Sequence, residues 1–170
     1  MQNDLDSEFY PIDLTSATRV AQENEGEKAF SALVAATQSL CAAERDIAGL
    51  STWEPAFDDW IRDAEKARAA VVTAAEAVIM AMCQTGTDRR FRIVALNFEG
   101  MLLTQDAAKY AHVADAMLSS AWMYTVPGRG PRAARATALL QQFRHYLGLL
   151  LGYPDYMPEP PCEPAMAIAA

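Results

Sequence analysis

The chain has 170 residues, 52% of them hydrophobic, and a formal net charge of −8, which is enough apolar material for one domain with one buried core. The charge is uneven: residues 1–26 carry six acids and one base, residues 153–170 carry three acids, and the stretch between is neutral. A neutral middle excludes a basic nucleic-acid binder and also a uniformly acidic nucleic-acid mimic.

In chain order, residues 1–26 read as an acidic arm with an aromatic cluster, Phe9, Tyr10 and Ile12, and a short helix expected from Thr15 to Asn24, ended by Gly26. The start has neither a basic nor an apolar leader segment, so the expected compartment is the cytoplasm. A first long helix is expected from Glu27 to Ala48, where Phe30, Leu33, Val34, Leu40, Cys41 and Ile47 recur at helical spacing. "GLSTWEP" stops it, and Thr52 and Pro55 suit the N-cap and first turn of a second helix running to about Cys83.

"QTGTD" supplies the next turn, with Thr87 as N-cap of a third helix expected from Asp88 to Tyr124 and kinked at Gly100. Within it "RFRIVALNF" has strand-like composition, but no partner strand is evident and the segment is read as helix. Leu96, Leu103, Tyr110, Met117 and Tyr124 fall seven apart, interleaved with Gly100, Ala107, Ala114 and Ala121; in the second helix Ala67, Ala74 and Ala81 do the same. Folded back across the turn, these series bring Ala74 to Gly100, Ala67 to Ala107 and Trp60 to Ala114, a seam that lets two backbones approach closely.

A fourth helix is expected from Pro131 to about Leu151, with an apolar stripe of Ala136, Leu139, Leu140, Phe143, Leu147 and Leu150; Gly152 ends it. A proline-rich tail follows over 153–170. Its final "AMAIAA" resembles in character the Leu-Ala-Ala degradation tags read by bacterial proteases, with Ile168 in place of the leucine. The expected fold is all-α: an antiparallel up-down-up-down four-helix bundle over 27–152 between an N-terminal arm and a C-terminal tail.

The chemistry is sparse. Cys41, Cys83 and Cys162 have no metal-ligand spacing and form no even disulfide set; Cys41 and Cys83 read as core residues. His112, with Asp115 one turn away, and His145 would stand at similar heights, but both histidines fall on solvent faces of their helical wheels and no Glu-x-x-His pair occurs, so no metal and no cofactor is expected. Glu76 is the suspicious carboxylate of an apolar stretch and is read as solvent-facing; Trp53, Phe57 and Trp60 are read as a core cap. No nucleophile elbow, dinucleotide fingerprint or kinase signature appears.

The strongest lead is "GRGPRAAR". Gly128 and Gly130 allow the backbone to bend, and Arg129, Arg132 and Arg135 stand at a helix start, where free amides and guanidinium forks suit an anion. In the expected topology these arginines share an end with Glu54, Asp58, Asp59, Asp63 and Glu65, while Arg89, Arg90 and Arg92 sit near Glu23, Glu25 and Glu27. The expected function is that of a non-catalytic interaction or regulatory protein acting through its flanks or this end. Phe9, Tyr10, Tyr153 and Tyr156 are candidate contacts for a protein partner. The alternative is a protein or enzyme that binds a small anion such as phosphate at residues 128–135. Val94, Phe98, Met101 and Leu102 form a second apolar face, which the arm, the tail or a second chain in a homodimer would cover. No apolar run suits a membrane span.

Overall fold

A computed structural model describes residues 24–48, 57–153 and 156. Outside the described residues lie Phe9 and Tyr10 of the arm, the connection with Thr52, Trp53 and Glu54, and the tail with Cys162 and the terminal alanines. Helix makes up 84% of the described residues and none of them is in a strand, so 91–98 is helical.

There are five α-helices among the described residues: α1 (Glu25–Ile47), α2 (Phe57–Met80), α3 (Gly86–Leu103), α4 (Ala107–Ser119) and α5 (Pro131–Leu150), with a 3-10 turn at Ala121–Tyr124 before α5. None is long and apolar enough to cross a membrane. α1 begins at an Asn24 cap whose Oδ1 accepts from Glu27 N at 2.7 Å, so Gly26 lies inside its first turn rather than ending an arm helix. α3 is started by a capping box between Thr85 and Asp88, not by Thr87.

The expected third helix is corrected at one decisive place. The chain does not run helically from Asp88 to Tyr124 with a kink at Gly100; it leaves the helix after Leu103 and restarts at Ala107. Asp106 Oδ1 accepts from the amides of Ala108 and Lys109 at 2.9 and 3.1 Å, an N-cap that makes restarting the helix cheaper than continuing it. α4 then returns along α3 and α5 instead of continuing beside α2.

That reversal adds one change of direction and decides which ends meet. Asn24 Nδ2 donates to Asp88 Oδ1 at 2.8 Å, Arg90 bonds the Trp122 carbonyl, and Arg135 Nε reaches Glu27 Oε1 at 3.2 Å. The starts of α1, α3 and α5 therefore share one end. Tyr110, near the start of α4, bonds the Tyr156 carbonyl beyond the end of α5, so these two belong to the other.

The small-residue seam is corrected too. Gly100 is exposed with nothing within 4 Å of a Cβ built on it, and Ala107 is exposed. α3 turns its large side chains inward: Phe91, Val94, Phe98 and Met101 are at most 1% exposed, while Leu96 and Leu103, expected in the seam, are 47% and 61% exposed. The inward face is the one that sequence reading left uncovered. Aromatic rings fill the centre: Phe30 stacks on Phe91 at 4.4 Å between centroids, and Phe143 meets Phe98 edge-on at 5.0 Å. The alanines of α2 do serve close packing, but against α1, its most extensive neighbour. The Glu44–Arg68 contact shows that α1 and α2 run antiparallel, and Ala36 of α1 and Ala67 and Ala74 of α2 are partly buried against the core.

Candidate functional site

The arginine-bearing end is built by a loop laid back on α5. Val126 N donates to Thr137 Oγ1 at 3.1 Å, and Gln141 Nε2 donates to the Tyr124 carbonyl at 3.1 Å. Gly128 has φ +133°, a conformation L side chains rarely adopt, and the position of its Cα places a virtual Cβ 3.3 Å from Ala133 Cβ. This glycine turns the chain into α5. Gly130 is the N-cap and supplies no side-chain bond, with Pro131 at the first helical position.

The three arginines separate by role. Arg135 pairs with Glu27, a carboxylate whose side chain is only 5% exposed, which makes the pair a tie between α5 and α1. Arg129 and Arg132 are exposed and have no ion pair among the described residues. The arginines were expected beside Asp58, Asp59 and Asp63; the reversal at Thr104–Asp106 carries them to the opposite end, beside α1's start. Arg62 takes Asp59 instead, at 2.7 Å. Of the basic trio on α3, Arg90 lies over the Trp122 ring at 5.1 Å and Arg92 Nη2 bonds the Ala81 carbonyl, so neither pairs with the α1 acids.

The opposite end holds a polar assembly with no signature in the sequence. Glu44, 4% exposed, accepts from Arg68 Nε at 2.9 Å and from Tyr156 Oη at 3.1 Å. Arg68 Nε also reaches Tyr156 Oη at 2.7 Å, and its guanidinium lies 5.2 Å from that ring's centroid. Tyr110 Oη donates to the Tyr156 carbonyl at 2.7 Å. Burial, with Glu44 beside it, drives the Tyr156 hydroxyl far above the ordinary tyrosine range; Arg68 opposes this. Burial alone pushes Tyr110 up to about 12. Next to the assembly opens a cavity of about 430 Å³, walled by Val72 of α2, Met101 to Thr104 at the end of α3, and Tyr110. Tyr156, a candidate partner contact, is thus 6% exposed and part of the fold, and Tyr153 donates its hydroxyl to the Cys41 carbonyl at 3.2 Å.

The remaining candidates resolve simply. Cys41 is buried and donates to the Tyr146 carbonyl at 3.3 Å; burial, aided by Glu44, pushes its thiol up to about 11, which keeps it protonated and unreactive near neutrality. Cys83 is half-buried, and Glu76, His112, Asp115 and His145 are exposed. Phe57 and Trp60 are half-buried at the start of α2. Among the described residues no group of three or more His, Cys, Asp or Glu is placed to hold a metal. Comparison with protein-family models, with curated proteins and with solved structures finds no match to this chain.

Proposed function

We propose that this chain is a non-catalytic interaction protein: a helical bundle that docks an acidic segment of a protein partner on the end bearing Arg129 and Arg132. The observation that carries the reading is the division of labour among the arginines. Arg135 is used by the fold on Glu27, while Arg129 and Arg132, three residues apart around a helix start, are exposed with no ion pair among the described residues. Guanidinium forks held on a short, anchored loop favour carboxylates that can accept two parallel hydrogen bonds. Cytoplasmic residence belongs to the same proposal.

A second reading, a small-anion site, has its own support. The α5 N-cap provides no side-chain acceptor, so the first-turn amides of Arg132 and Ala133 stay available beside the same arginines. One titration separates the two. Backbone amide shifts of residues 126–136 are followed while a glutamate-rich peptide, and separately inorganic phosphate, is added to the full chain and to the Arg129→Glu, Arg132→Glu double variant. Saturable shifts with the peptide alone, lost in the variant, support docking of an acidic partner. Equal shifts with phosphate support the anion site, and no shift with either ends both readings.

A further inference from the structure

α3 exposes an apolar stripe on the side directly opposite its core face. Ile93, Leu96 and Leu103 are 36%, 47% and 61% exposed, and Gly100 between them is open space, with nothing within 4 Å of a built Cβ. At about 100° per residue these four positions, together with Arg89, fall within one quarter of the helix circumference. The stripe ends in opposite charges. Arg89, exposed and without an ion pair among the described residues, opens it; Asp106, exposed and capping α4, lies just beyond its other end.

We propose that this stripe is an interface with a second copy of the chain, formed by α3 lying antiparallel on the partner's α3 about a two-fold axis near Phe98. The pattern is complementary to itself. Run antiparallel, Leu96 enters the space over the partner's Gly100, Ile93 meets the partner's Leu103, and Arg89 reaches the partner's Asp106; the axis repeats each contact. Charge that is positive at one end of a neutral stripe and negative at the other matches its own inverse, and fits an unrelated apolar helix less well. Size sets the strength. A single helix face about 26 Å long, at about 1.5 Å per residue, falls short of the roughly 800 Å² per partner of a standard stable interface, which puts the dimer in the weak class that dissociates on dilution. This inference is independent of the docking reading at the arginine end, which uses other residues.

Sedimentation equilibrium of the full chain from low micromolar to submillimolar concentration tests it. The expected result is a monomer–dimer equilibrium that weakens about tenfold or more in Leu96→Glu, a loss of roughly 1.4 kcal/mol or more, with the circular dichroism of the monomer unchanged. Arg89→Gln and Asp106→Ser, the latter keeping a capping oxygen on α4, each weaken the dimer, and the double variant weakens it no further than either alone. A chain that stays monomeric throughout, including because residues 1–23 or the tail cover the stripe, overturns the proposal. So does a dimer whose constant is indifferent to Leu96→Glu, since it would use another surface.

Discussion

At the residue scale, Asp88 joins three parts of the fold. Its Oδ1 accepts from Asn24 Nδ2, and its Oδ2 accepts from Gln84 N at 3.0 Å, Thr85 N at 2.8 Å and Thr85 Oγ1 at 2.9 Å. Burial pushes this carboxyl up, but the hydrogen bonds from Asn24, Thr85 and Gln84 outweigh it and leave the pKa below the ordinary 3.8. A carboxyl lowered by folding contributes stability that is present above 3.8 and is lost as pH falls through the lower folded value. Asp88→Asn should therefore cost roughly 1–3 kcal/mol near neutrality and flatten the acid limb of a stability–pH profile measured by urea unfolding. A Cβ on Gly26 would lie 2.9 Å from Asp88 Oδ1, an oxygen that already accepts from Asn24 Nδ2 at 2.8 Å. Gly26→Ala should thus destabilise by about 1–2 kcal/mol despite alanine's better helix propensity. A neutral or stabilising result would show that the carboxylate is free to shift.

At the element scale, α1, α2 and α5 were legible because each shows one apolar stripe, and Pro131 and Gly152 mark the ends of α5; Asn24, which caps α1, reads in the sequence as the end of an arm helix instead. The error fell on the segment from Asp88 to Tyr124, where two rival seven-residue patterns coexist. The small-residue series looked like a close-packing face, yet Phe91, Val94, Phe98 and Met101 bury far more apolar area, and area decides. The break itself had a signal: Thr104 and Asp106 stand before two alanines and a lysine, an N-cap in front of good helix formers. Gly100, in contrast, is a passive helix residue. Gly100→Ala, measured by urea unfolding on dilute protein, should stabilise by about 0.5–1 kcal/mol, because the added methyl meets nothing and alanine lowers the entropy cost of helix. A loss of stability would place Gly100 against a neighbour, as the seam requires.

At the scale of the whole molecule, the site depends on topology more than on any local motif. The arginine cluster, its spacing and its glycine turn were readable directly from "GRGPRAAR"; which end of the molecule carries it was not, because one three-residue reversal at Thr104–Asp106 moves it by the length of a helix. The assembly of Glu44, Arg68, Tyr110 and Tyr156 was equally hidden, since its members lie on four separated segments and each looks ordinary alone. It fixes Tyr156 over the far end of the core, leaving the α1–α5 end to carry Arg129 and Arg132. The docking reading stands on that arrangement.

The most direct measurement is a pair of spin-label distances in a chain whose native cysteines are replaced by serine, with labels at the exposed positions Lys28, Asp59 and Arg132. The account predicts a short Lys28–Arg132 distance within one end. It predicts an Asp59–Arg132 distance approaching the length of α2, about 35 Å at roughly 1.5 Å per residue. The reverse order, long to Lys28 and short to Asp59, would put the arginines beside the acids at the start of α2 and contradict the fold on which the site is built.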